Sequence, residues 1–164
     1  MTRAWDDAIQ RLHDGKDPFE GFDPEGWIDE ADEWDSHNPI FDESVHSLRP
    51  RVIVEVGSFL GASARHFAAA LQREGIDGVV ICVDTFLAEQ VLWTNPPWRP
   101  HLRHVNGRPE FYKAWMANAL ASGLSQYLCP LPMASTSAAR YLAARGVVAD
   151  LVYIDGSHDE GDVY

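Results

Sequence analysis

The sequence predicts an α/β fold, a Rossmann-like doubly wound parallel sheet, and three observations carry that prediction. From Arg51 onward, short apolar runs of strand length alternate with segments of helical period. The first run ends in a glycine loop that opens a helix, VIVEVGSFLGAS over Val52–Ser63. The second and fourth runs each end in an aspartate, Asp84 and Asp155.

Residues 1–50 stand apart from this pattern. They are acidic and aromatic, and are broken at Gly15, Pro18, Gly21, Pro24 and Gly26. Trp5–Leu12 has room for one or two helical turns. Trp34–Leu48 reads as a second short helix, with Asn38-Pro39 as its start signal. The region is expected to form a cap or lid, the alternative being a solvated arm.

Residues 51–164 form the second region. Val52–Val56 is apolar apart from Glu55, as a parallel strand buried on both faces requires. After Gly57–Gly61, the stretch ASARHFAAALQR (Ala62–Arg73) has helical period, and Gly75–Gly78 is a turn. Val79–Val83 is a second buried strand and Pro109–Ser122 a helix. Tyr127–Leu131 is a third strand, Ser137–Arg145 a helix, and Leu151–Ile154 a fourth strand. Strand–helix alternation implies right-handed crossovers and parallel pairing. The sequence ends at Tyr164, which would leave Leu151–Ile154 as an unprotected edge. These residues are therefore expected to be the first part of a longer polypeptide, with the C-terminal strands of the sheet missing from it.

Composition narrows the partners. A length of 164 residues with 46% hydrophobic content suits one core. The formal charge of -12, from 25 acidic and 13 basic residues, repels phosphate backbones and argues against nucleic acid. Between Asp6 and Glu43 the only Lys or Arg are Arg11 and Lys16. No basic patch suits a membrane surface, and no run approaches the ~20 apolar residues of a span. Without a signal peptide the expected location is cytoplasmic; homo-oligomerisation is left open. Cys82 and Cys129 sit in apolar runs and read as small buried hydrophobes.

The glycine loop defines the ligand class. Gly57 lets the backbone turn sharply after the first strand, and Gly61 lets the next helix start close by. The free amides around Gly61–Ser63 favour a carboxylate. Asp84, 27 residues after Gly57, ends the second strand where ribose hydroxyls would lie. A dinucleotide fingerprint is G-x-G-x-x-G, whereas this loop is G-S-F-L-G, with Ser58 and Phe59 where less bulk is needed. Glu55, two residues before Gly57, suits a cationic amino group.

Asp155-Gly156-Ser157-His158 follows the fourth strand at the same edge. A hydroxyl is a poor nucleophile at neutral pH and needs a base, a metal, or both. His158 has the titration range for a base, and Asp155 the oxygen chemistry for Mg²⁺. Both residues could equally cap the following turn. His101 and His104 flank Arg103 in a loop that reads either as pocket lining or as exposed surface. Trp93, Trp98 and Pro96-Pro97 read either as a substrate wall or as a packed loop.

EVGSFLGAS followed by VDTF resembles motifs I and II of class I S-adenosylmethionine-dependent methyltransferases. More narrowly, the chain is similar to small-molecule O-methyltransferases acting on macrolide-type and other sugars. The supporting stretches are Trp34–Phe41, DTFLAEQVLW (Asp84–Trp93) and YIDGSHDEGDVY (Tyr153–Tyr164), so the likeness covers Trp34 to Tyr164. It departs at Leu87-Ala88, where many relatives have glycine after the aromatic residue. The resemblance implies S-adenosylmethionine as cofactor, bound by residues 51–164, with Glu55, Gly57, Ser58 and Gly61 around its methionine part. Asp84 would hold the ribose, and Ser135 would lie near the adenine, a place Thr136 or Ser137 could also fill. It further implies Asp155 as Mg²⁺ ligand, His158 as general base, and a small hydroxylated molecule as acceptor. A nicotinamide-dependent oxidoreductase and a non-catalytic or truncated nucleotide-binding module are the competing readings.

Overall fold

The computed structural model describes residues 3–29 and 38–157. Helix α1 spans Ala4–Leu12 and α2 Ile40–Leu48. Residues 34–37 of the expected second helix lie outside the described residues, as does His158. The start signal is present: Asn38 Oδ1 accepts from the Ile40 amide at 3.0 Å, and Pro39 sits at the N-cap.

Then come β1 (Val52–Val56), α3 (Ala62–Arg73), β2 (Val79–Asp84), the short α4 (Gln90–Thr94) and a 3₁₀ turn, Arg99–Leu102. They are followed by α5 (Phe111–Ala121), β3 (Leu128–Pro132), α6 (Ser135–Ala144) and β4 (Leu151–Ile154). All four strands pair in parallel, in the order β3-β2-β1-β4.

That order makes the winding double. From β1 the chain moves outward to β2 and β3, then returns to place β4 on the other side of β1. The strand alternation sorts residues onto two faces. Ile53, Val80, Cys82 and Leu128 pack with α2, α3 and α5 residues such as Val45, Phe67 and Trp115. Val54, Ile81, Val83, Cys129 and Leu131 pack with α1 and α6 through Ile9, Leu12, Ala138 and Leu142. Order reversal between β1 and β4 opens a crevice at their carboxyl ends, where ligands bind in such sheets.

The two edges are treated differently. On β3, Pro130 and Pro132 have no amide to offer. Trp5 Nε1 donates to the Leu128 carbonyl at 3.0 Å, and the His13 ring bonds the Pro130 carbonyl at 2.8 Å. Helix α1 thus closes that edge. On β4, Tyr153 is covered by Phe41 and Phe67, with ring centroids 5.2 and 5.6 Å away. Val152 and Ile154, on the opposite face, are exposed at 54% and 74%. Cys82 and Cys129 are free and buried, and burial pushes the Cys129 thiol up to about 12, so both act as hydrophobes.

Candidate active site

Gly57 leaves β1 at φ +90, and its amide donates to the Val83 carbonyl at 2.9 Å. A Cβ there would stand 2.1 Å from the Asp155 carbonyl oxygen and 2.7 Å from Gly156 Cα. The glycine is therefore required by close approach as well as by its dihedral. It is what lets the first and fourth strands end side by side, bringing Asp155 to the loop.

Gly61, at φ +88, is the N-cap of α3. A Cβ there would lie 2.8 Å from Trp115 Nε1, so α5 presses its largest side chain against the loop. The Trp115 indole N–H is buried and has no hydrogen-bond partner among the described residues.

Asp84 holds the loop from the next strand. Its Oδ2 accepts from the Ser58 and Phe59 amides, each at 2.9 Å, and its Oδ1 from the Phe86 amide at 2.7 Å. Phe59 is at φ 44, a left-handed conformation that these bonds help to hold. Besides the ribose contact expected of it, Asp84 is thus a structural acceptor for two backbone segments. Each carboxylate oxygen keeps further accepting capacity.

Glu55 lies at the centre of the sheet, with Cys82 on one side and Tyr153 on the other. It is fully buried. Ser63 Oγ donates to its Oε1 at 2.6 Å, and Ser58 Oγ donates to its Oε2. Its immediate partners are therefore the loop's own hydroxyls. Burial raises its pKa to about 7, against the pull of Ser58 and Ser63 and with further upward pushes from Asp84 and Asp155.

Asp155 is exposed at the end of β4, where the Tyr153 hydroxyl donates to its Oδ2 at 2.8 Å. Ser135 is exposed at the first turn of α6, on the loop after β3. The structure therefore groups Glu55, Gly57, Ser58, Gly61, Asp84 and Asp155 around one loop, with Ser135 at the next strand end. Asp84 and Asp155 stand at the ends of β2 and β4, with Glu55 buried on β1 between them, an acidic setting that favours a cationic ligand.

A divalent ion fits less well. Among the described residues no three His, Cys, Asp or Glu side chains converge as a metal site. One oxygen of Asp155 is already engaged by Tyr153. Toward the expected Mg²⁺ site the described residues supply Asp155 and do not complete it.

Sequence reasoning missed a buried connection beside the loop. The Asn118 amide group donates to the Asp29 and Leu60 carbonyls, both at 3.0 Å, and its Oδ1 accepts from the Asp29 amide at 3.1 Å. Asp29 then meets the His101 Nδ1 at 3.0 Å. A polar residue in the apolar second half of a helix, Asn118 in FYKAWMANALA, was the available signal.

Ala88 has φ 64 and Phe86 has φ 54, a left-handed backbone that glycine adopts without strain.

A parallel sheet whose strand order reverses at β1/β4, with a glycine loop at its carboxyl edge, is the architecture of α/β proteins that bind ligands at that point. A family model described as a methyltransferase domain matches residues 54–164, and the chain belongs to that family, the class I S-adenosylmethionine-dependent methyltransferases. Among curated proteins none matches the chain. Among the described residues, no helix is long and apolar enough to cross a membrane.

Proposed function

We propose that the chain transfers a methyl group from S-adenosylmethionine to a hydroxyl of a small molecule, such as a sugar. The observation that carries this reading is the convergence of Glu55, Asp84 and Asp155 on a loop with a helix N-terminus behind it. S-adenosylmethionine carries a sulfonium and an ammonium, which suit the carboxylates, and a carboxylate, which suits the amides at Gly61–Ser63. In this reading Ser135, or Thr136 or Ser137, borders the adenine.

Methyl transfer is an in-line displacement, so positioning supplies much of the rate. The acceptor oxygen attacks the methyl carbon as the C–S bond breaks toward sulfur, and the hydroxyl proton passes to a base. We assign that role to His158, three residues beyond Asp155. Asp155, whose Oδ2 accepts from the Tyr153 hydroxyl, would offset the positive charge that His158 gains. The cap or lid proposed for residues 1–50 draws support from Asn118, which donates to the Asp29 and Leu60 carbonyls and so links that region to the glycine loop.

Isothermal calorimetry tests the cofactor assignment. S-adenosylmethionine should bind in the micromolar range and NADH should not, with binding lost in Asp84→Ala. Binding of NADH in place of S-adenosylmethionine would overturn it. Because Asp84 also holds the loop through the Ser58 and Phe59 amides, thermal melts of Asp84→Ala accompany the titration, and binding lost at an unchanged Tm assigns the loss to the ligand contact.

A further inference from the structure

An open cavity of about 440 Å³ is lined by Thr94, Pro96, Arg99, Pro100, Arg103 and His104. The cavity belongs to the connection between β2 and α5, which leaves the sheet at Asp84 on its ligand-binding edge. One contact reaches from that connection to the glycine loop, Trp98 meeting the Phe59 ring edge-on at 6.2 Å, and inside the connection Trp93 Nε1 donates to the Leu87 carbonyl at 3.1 Å.

Its charge runs against the rest of the chain. With 25 acids in 164 residues, a stretch of twenty should hold about three. Gln90–Pro109 holds none, yet it carries Arg99, Arg103 and Arg108 together with His101 and His104. No carboxylate lines the cavity.

The two lining arginines differ in a useful way. Arg103 is fixed: it donates to the Gly26 carbonyl at 2.8 Å and the Ile28 carbonyl at 3.3 Å, and lies 5.9 Å over the Trp27 ring. Asp29 offsets part of its charge from 3.8 Å, but Asp29 is closer to His101, at 3.0 Å. Arg99 is exposed and makes no ion pair among the described residues. His104 is held against Trp93, with ring centroids 4.6 Å apart. A fixed cation, a free cation and two prolines form a rigid wall that is apolar in part and positive in part. Guanidinium groups match carboxylate and phosphate oxygens in geometry as well as charge.

We propose that this cavity is the acceptor subsite and that it takes the anionic group, a carboxylate or a phosphate, of the molecule to be methylated. The inference rests on the methyltransferase reading for the word acceptor, but anion binding here is measurable without it. The prolines would contact the acceptor's apolar surface, while Arg99 and Arg103 fix its charged end and direct its hydroxyl toward the loop.

The test uses inorganic phosphate and malonate as probes, titrated into the protein in 150 mM NaCl so that diffuse attraction is screened. Side-chain N–H resonances of arginine and of Trp93 report the site by NMR. Saturable shifts confined to Arg99, Arg103, His104 and Trp93, with affinity at least about tenfold weaker in Arg99→Gln, are the expected result. Arg99 is exposed, so this variant keeps the fold, whereas Arg103→Gln would also break the Gly26 and Ile28 contacts. A response to phosphate alone identifies a phosphate ester, and one to malonate alone a carboxylic acid. No saturable shift with either probe, or equal affinity in Arg99→Gln, overturns the proposal. Calorimetry with S-adenosylmethionine on the same samples keeps the two readings apart. Anion binding without cofactor binding would sink the methyltransferase reading and leave an anion site. Cofactor binding without anion binding would do the reverse.

Discussion

Replacing Gly57 by alanine tests the central geometric claim, that the first and fourth strands end in contact through a residue with no side chain. An alanine Cβ would lie 2.1 Å from the Asp155 carbonyl oxygen, where real Cβ atoms essentially never come within 3.0 Å. The obstructing atoms are backbone, so β4 or the loop must retreat by about 1 Å. Left-handed φ adds about 1–2 kcal/mol for a residue with a Cβ, partly offset by about 0.4–1 kcal/mol from the stiffer unfolded chain. Overpacking adds about 1–3 kcal/mol. The expected loss is therefore about 2–4 kcal/mol, or a Tm lower by roughly 5–15 °C for a chain of this size. A retreat of that distance also separates Asp155 from the loop and should cost on the order of 10²-fold in any turnover that needs both. The control is Gly75→Ala, at φ +62 with nothing within 4 Å, which carries the dihedral cost alone. Urea denaturation of both variants measures the difference. If Gly57→Ala loses no more stability than Gly75→Ala, the contact between the strand ends is not what the glycine is for.

Glu55 gives a pH prediction. Its folded pKa of about 7 lies above the ordinary 4.5, so the folded state holds the proton more tightly than the unfolded one. Its contribution is fully present below pH 4.5 and is lost as pH rises to about 7, by on the order of 3 kcal/mol. Glu55→Gln should remove that slope, and denaturation midpoints measured from pH 4.5 to pH 8 check it; parallel profiles for the two proteins would show that Glu55 is ionised throughout. Ala88→Gly should raise stability by up to about 1 kcal/mol, the left-handed strain at φ 64 exceeding the entropy of a freer unfolded chain. A lower Tm in that variant would mean that the Ala88 methyl contributes packing worth more than the strain.

The strands and their order of appearance were legible because each is a nearly continuous apolar run, and three of the four runs are bounded on both sides by glycine or a charged residue. VIVEV and LVYI matched β1 and β4 residue for residue, and ASARHFAAALQR matched α3. Boundaries shifted where terminal chemistry was ambiguous: β3 begins at Leu128 because Tyr127 belongs to a 3₁₀ turn, and α6 begins at Ser135 rather than Ser137. The glycine loop was legible too, since a turn of this shape demands glycine at fixed places. What the sequence did not reveal were contacts between distant segments. Asn118 joins residues 89 and 58 positions away, and Trp5 reaches a carbonyl 123 positions away. No local pattern encodes such pairings. The double duty of Asp84 was likewise hidden, because an aspartate at a strand tip looks the same whether it faces a ligand or its own backbone.

The burial of Glu55 explains how one loop can serve a ligand bearing both signs of charge. A carboxylate that reached the surface beside Asp84 and Asp155 would add like charge to the same few ångströms. Held inside and capped by Ser58 and Ser63, Glu55 is near its protonation midpoint at neutral pH, so its charge is adjustable. A cation arriving at the loop favours the ionised form, and the proton leaves as the ligand binds. The two serines occupy opposite ends of the glycine loop, one before Phe59 and one inside the first turn of α3. Ionisation strengthens both hydroxyl contacts at once, since hydrogen bonds to a charged acceptor are about twice as strong as neutral ones. On the proposed cofactor assignment, ligand charge and proton release at Glu55 are then linked.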